Sequence, residues 1–200
     1  MGNLFKITIN KGMPIYEIIT KSGACEDFVI TAIHETGHLL SAIRLGLSPG
    51  VTTIVRNEDA GRAGGSEYEE TLLRGDVSDH EVIATGLPRK EGIHSMAGVA
   101  ALRLMGIFDL DSLQGADSDI EGAARLLGDM SIEDYINEAL DLLRSGTNPL
   151  ALQLLAEQLL LHKTIGSGYA EQIVSVADGE TTMEETLEAI ELWGERFILD

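Results

Sequence analysis

Apolar residues recur along most of this chain at three- and four-residue intervals, the spacing of helices that bury one side. The densest case runs from Phe28 to Leu45, where apolar residues cover most of a helical circumference, as in a buried helix. Asp27 is placed to cap its start and Gly46 to stop it, with no proline between them. Later segments read the same way: Gly92–Met105, Asp119–Met130, a helix opened by Ser131 and Asp134 as a capping box and ending at Gly146, Asn148–His162, Gly168–Val176 and Thr182–Phe197. Asn148 and Pro149 suit a cap and a first turn. Strand patterns are fewer. Leu4–Asn10 alternates, Lys11-Gly12 makes a turn into Ile15–Ile19, and Val51–Val55 is β-branched after a Ser48-Pro49-Gly50 loop. Gly61–Gly65 is glycine-rich, the acidic run Ser66–Glu70 reads as a solvated face, and Leu73–Lys90 reads as loop with room for a short element. The fold class expected is α+β, mainly α. It is one domain over 1–200 with a small sheet, and residues 1–30 form an N-terminal extension folded as a β-hairpin.

Composition narrows the function classes. A hydrophobic fraction of 44% over 200 residues suits a globular domain with a sizeable core. A net charge of −19 disfavours nucleic acid and anionic membrane as partners. The single cysteine, Cys25, rules out an internal disulfide, fits a reducing compartment and reads as structural. No apolar run approaches the length of a bilayer span, and no signal-peptide pattern is visible, so the expected location is the cytoplasm.

The candidate chemistry lies inside the first helix. His34-Glu35-Thr36-Gly37-His38 reads H-E-x-x-H. Two histidines four residues apart on a helix face the same way and can share one metal ion. Glu35 can then reach a water on that ion without being a ligand, the arrangement that zinc-dependent hydrolysis needs. A catalytic zinc takes three protein ligands, so one more is required. Ser41 and Arg44 stand where a metzincin carries glycine and histidine, so that solution is excluded. The acidic candidates are many, and composition does not choose among them. His80, His94 and His162 have no partner at helical spacing and read as surface or satisfied core histidines. Ser66 has no neighbouring base and is no nucleophile, and Trp193 and Phe197 read as core.

Several segments together resemble the peptidase domain of FtsH, the membrane-anchored AAA+ zinc protease. They are Ala32-Ile-His-Glu-Thr-Gly-His-Leu39, the pair Val51–Arg56 and Ala63-Gly-Gly65, Ala97-Gly-Val-Ala-Ala101, and Gly115-Ala-Asp-Ser-Asp-Ile-Glu-Gly-Ala-Ala-Arg125. Leu152–Leu160 and Thr164-Ile165 look like that family's closing helices. The likeness keeps its order from Thr31 to Val176 and leaves residues 1–30 outside. It implies Asp119 as the third zinc ligand, with Asp117 as fallback; without it, an aspartate at a helix start reads as an ordinary cap. It also implies that Ala63, Gly64, Gly65 and Ser66 form a strand edge that binds substrate by backbone pairing. Two departures stand out. There is no P-loop pattern and no membrane segment, so any ATPase would be a separate partner, and Leu102 replaces the glutamate usual after the Ala-Gly helix.

The expected function is a zinc-dependent endopeptidase acting on flexible or unfolded polypeptide without ATP. His34, His38 and Asp119 hold Zn²⁺, and Glu35 takes the proton of the attacking water. The alternative is a metal-binding module that regulates or interacts without proteolysis.

Overall fold

Helix α1 (Glu26–Leu45) carries the H-E-x-x-H segment and is the element the others pack on. The structure is a computed structural model, and it describes residues 4–7, 16–19, 26–55, 64–68, 86–106, 116–126 and 130–193. Cys25, His80 and Phe197 lie outside the described residues, as does the Lys11-Gly12 turn.

Ala32, Ile33, Leu39 and Leu40 of α1 have no exposed surface, which is why this segment is apolar on so many sides. It packs against α2 (Leu87–Leu104) and α5 (Asn148–His162). Small residues set the first contact: a Cβ on Gly37 would lie 2.4 Å from the Ala97 carbonyl oxygen and 2.8 Å from Ala101 Cβ. Helix α2 is in turn packed on α4 (Ile132–Arg144), with α3 (Asp117–Ala124) against it. Helix α6 (Ser167–Asp178) packs on α5, and α7 (Met183–Trp193) follows it. Arg44, in the last turn of α1, ties three elements at once. Its guanidinium donates to both carboxylate oxygens of Asp178 at 2.7 Å and to Asn148 Oδ1 at 2.6 Å, a forked arrangement stronger than a single neutral hydrogen bond.

The strands are short. β1 (Leu4–Ile7) and β2 (Tyr16–Ile19) form an antiparallel pair; the turn expected between them lies outside the described residues. β3 (Pro49–Thr53) is the centre of a three-stranded sheet, between β4 (Gly65–Tyr68) and β5 (Thr164–Ile165). The domain is thus α+β and mainly α. No helix among the described residues is long and apolar enough to cross a membrane.

Several expected boundaries move. Asp27 falls inside α1, which starts at Glu26, rather than before it. Pro49 and Gly50 belong to β3 rather than a loop, because proline is tolerated as a first strand residue and the register shifts between Pro49 and Thr52. Helix α2 starts at Leu87, five residues early, after Gly86 adopts φ 67° and Pro88 enters the first turn. Helix α3 runs from Asp117 to Ala124 and does not reach Met130. Asn148 is not a cap; Thr147 holds that place, while Asn148 Nδ2 donates to the Leu142 carbonyl at 2.7 Å and joins α4 to α5. Thr164-Ile165 is a strand, not part of a closing helix, because Lys163 takes φ 69° and turns the chain back onto β3. The Ser131–Asp134 capping box is present as expected.

Candidate metal centre

One helical turn brings His34 and His38 onto the same face of α1, and their Nε2 atoms lie 3.1 Å apart. Asp119, in the first turn of α3, completes a triangle: its Oδ2 is 3.0 Å from His34 Nε2 and 3.3 Å from His38 Nε2. That oxygen is buried, and neither contact has hydrogen-bond geometry, so it has no hydrogen-bond partner. Three such atoms facing one point need positive charge among them, which a proton shared by the two imidazoles or a metal ion supplies. A tetrahedral ion with bonds of about 2.0–2.1 Å spaces its ligand atoms about 3.3 Å apart, close to all three edges. The residues present therefore fit a metal ion, and they form a group of ligand type within 4.8 Å of one another.

Asp119 is not a cap. Ala116 occupies the cap position of α3 and no side chain caps that helix. Asp117 is exposed at the start of the same helix, and among the described residues it is Asp119 that joins the two histidines.

The surroundings fix the ligands. His38 Nδ1 donates to the His94 carbonyl at 2.8 Å. A carbonyl only accepts, so Nδ1 carries a proton, and Nε2, which faces Asp119, is the nitrogen that would give up its proton to bind a metal ion. Gly98 leaves room for both rings: a Cβ there would lie 2.6 Å from His34 Cε1 and 2.6 Å from His38 Nε2. With no ion bound, burial opposes a charge on His38, but the Asp119 and Glu35 carboxylates outweigh it and raise its pKa to about 9. Burial likewise opposes ionisation of Asp119, and the His38 charge beside it holds the carboxyl well below the usual range. His94 is 3% exposed and is kept neutral, its pKa lowered to about 3 by burial and then by the His38 charge.

Glu35 is 7% exposed. Its Oε1 lies 3.2 Å from where a Cβ of Gly64 would be, beside Thr31 Cγ2 and the Thr53 carbonyl oxygen, each at 2.8 Å. The start of β4 thus rests on the turn of α1 that carries the carboxylate. β4 pairs with β3 through Gly65↔Thr53 and Ser66↔Thr52 and is an outer strand of its sheet among the described residues. Ala63 is outside the described residues. The two glycines differ: the space beside Gly64 is filled by the protein, whereas no atom of the described residues lies within 4 Å of a Cβ on Gly65.

Of the two readings, surface or satisfied core, His94 is the core one, and Ser41 Oγ lies 2.9 Å from its Nδ1. Their place beside His38 had no signal in the sequence. His162 is half-buried against the Tyr169 ring, 5.7 Å between centroids, and is not part of a ligand group among the described residues. Leu102 is 1% exposed, a core side chain. No protein-family model matches this chain, and no curated protein is significantly similar to it.

Proposed function

We propose that the chain is a zinc-dependent endopeptidase that cleaves flexible or unfolded polypeptide without ATP. The observation that carries this reading is the convergence of His34 Nε2, His38 Nε2 and Asp119 Oδ2 at 3.0–3.3 Å, one residue along the helix from a buried glutamate. Two imidazoles and a carboxylate are a ligand set zinc favours, and the sequence likeness to the FtsH peptidase domain points the same way. When bound, zinc supplies Lewis acidity, which favours ionisation of water and polarises a carbonyl.

Glu35 acts as the general base. It removes one proton from the attacking water while the hydroxide adds to the scissile carbonyl carbon. The C–N bond then breaks, and Glu35 returns that proton to the departing amine. Its neighbour β4 is an outer strand among the described residues, and an extended peptide would add on its outer side as a further strand. Backbone pairing is largely indifferent to side chains, which suits unfolded substrates.

The test is digestion of casein and a fluorogenic peptide by the metal-free chain, with zinc restored and then removed by chelator. Cleavage should require zinc, and Glu35→Gln should lower it by at least about 100-fold while zinc content is unchanged. Wild-type turnover in Glu35→Gln would falsify the assignment. Stoichiometric zinc without cleavage of any peptide would leave the non-proteolytic module as the reading.

A further inference from the structure

His94 and Ser41 are not ligands and have no part in the proton transfers above, yet both are buried against the site. With His38 they make a closed circuit. The His38 ring donates from Nδ1 to the His94 carbonyl at 2.8 Å. Ser41 Oγ donates to the His38 carbonyl at 2.8 Å and lies 2.9 Å from His94 Nδ1. A hydroxyl has one proton, and Ser41 directs it at His38, so the contact with His94 is completed by a proton on His94 Nδ1.

The two links run in opposite senses between the same two residues. One joins the ring of His38 to the backbone of His94. The other joins the ring of His94, through Ser41, to the backbone of His38. Sliding or rotating α2 on α1 cannot preserve both. The carbonyl bond selects the His38 tautomer, but it aims the ring only if the carbonyl itself stays in place. We infer that Ser41 and His94 are positioning residues, which hold the His94 carbonyl in register and thereby aim His38 Nε2 at the metal. This rests on reading His34, His38 and Asp119 as a metal site. A residue that merely filled the space beside His38 could be replaced by an apolar side chain of similar size.

Three variants separate these roles: His94→Leu, which keeps bulk; Ser41→Ala, which removes the linking hydroxyl; and His94→Asn, whose amide nitrogen can stand near the place of Nδ1. Each is loaded with Co²⁺, the visible spectrum is recorded, and Zn²⁺ affinity is measured by competition with a chromophoric chelator. In the metal-free proteins the His38 Nδ1–H resonance is followed by NMR. His94→Leu and Ser41→Ala should bind about 10–100-fold more weakly, with altered cobalt bands and a shifted or broadened Nδ1–H signal. His94→Asn should recover most of the affinity and the wild-type bands. Wild-type affinity and spectrum in His94→Leu or Ser41→Ala overturns the inference. So does a loss of affinity with unchanged bands that His94→Asn shares, since that is a stability effect only. If His94→Leu fails to fold, Ser41→Ala and His94→Asn decide by the same criteria. If the wild-type chain binds neither ion, the metal-site reading itself fails; if it binds both and the variants match it, only the positioning role does.

Discussion

Gly98→Ala separates the metal site from the fold. The added Cβ would meet His34 Cε1 and His38 Nε2 at 2.6 Å and His34 Nδ1 at 2.7 Å. Ordinary contact between such atoms is about 3.5 Å, so both rings must retreat by about 1 Å. Metal–ligand distances tolerate only about 0.2 Å. Two of three ligands are displaced by several times that margin, and zinc affinity should fall at least about 100-fold, or about 2.8 kcal/mol. The fold has less to lose. The atoms struck are the movable ends of side chains, and alanine in place of a mid-helix glycine gains about 1 kcal/mol of helix propensity. The metal-free variant should therefore melt within a few degrees of the parent. Gly37→Ala is the contrast: its Cβ would strike the Ala97 carbonyl oxygen at 2.4 Å, which is backbone, so α1 and α2 must separate. That variant should lose about 1–3 kcal/mol of stability with or without metal. Chelator competition measures affinity, and thermal melts of the metal-free proteins measure stability. Wild-type zinc affinity in Gly98→Ala would show that the two rings do not sit as described, and the reasoning would fail.

Asp119→Asn should cost at least about 10-fold in zinc affinity, whereas Asp117→Asn should cost nothing, because only Asp119 faces the histidines; equal effects on titration with zinc would reject the ligand assignment. The metal-free protein should lose stability as pH rises from about 6.5 towards 9. His38 has a folded pKa raised to about 9, so its contribution is complete below its unfolded value and disappears as the proton leaves, on the order of 3 kcal/mol in all. Zinc takes the proton's place, so denaturant titrations of the loaded protein should not show that decline. Gly64→Ala should lower peptide turnover by about 10-fold or more without loss of zinc, since its Cβ presses on Thr31, the Thr53 carbonyl and Glu35 but on no ligand.

The sequence by itself determined what local geometry controls. A four-residue step along a helix is enough to align His34 with His38, and alternating or three-to-four periodicity is enough to separate strands from helices. The Ser131–Asp134 capping box was legible for the same reason: its bonds close within three residues. Contacts between distant segments were not. Whether Asp119 stands as a cap or beside the two histidines depends on where α3 lands against α1, and the short distances place it beside them, in a group that could hold a metal ion. The space reserved by Gly98, the circuit through Ser41 and His94, and the packing of Gly64 on Glu35 belong to the same class. So does the turn at Lys163 that makes Thr164-Ile165 a strand, since a two-residue strand has no periodicity and exists only because β3 is there to pair with it. Propensity and spacing act over one or two turns of chain. The registers that assemble this site act across its tertiary packing, where each position is set by the side chains that happen to meet.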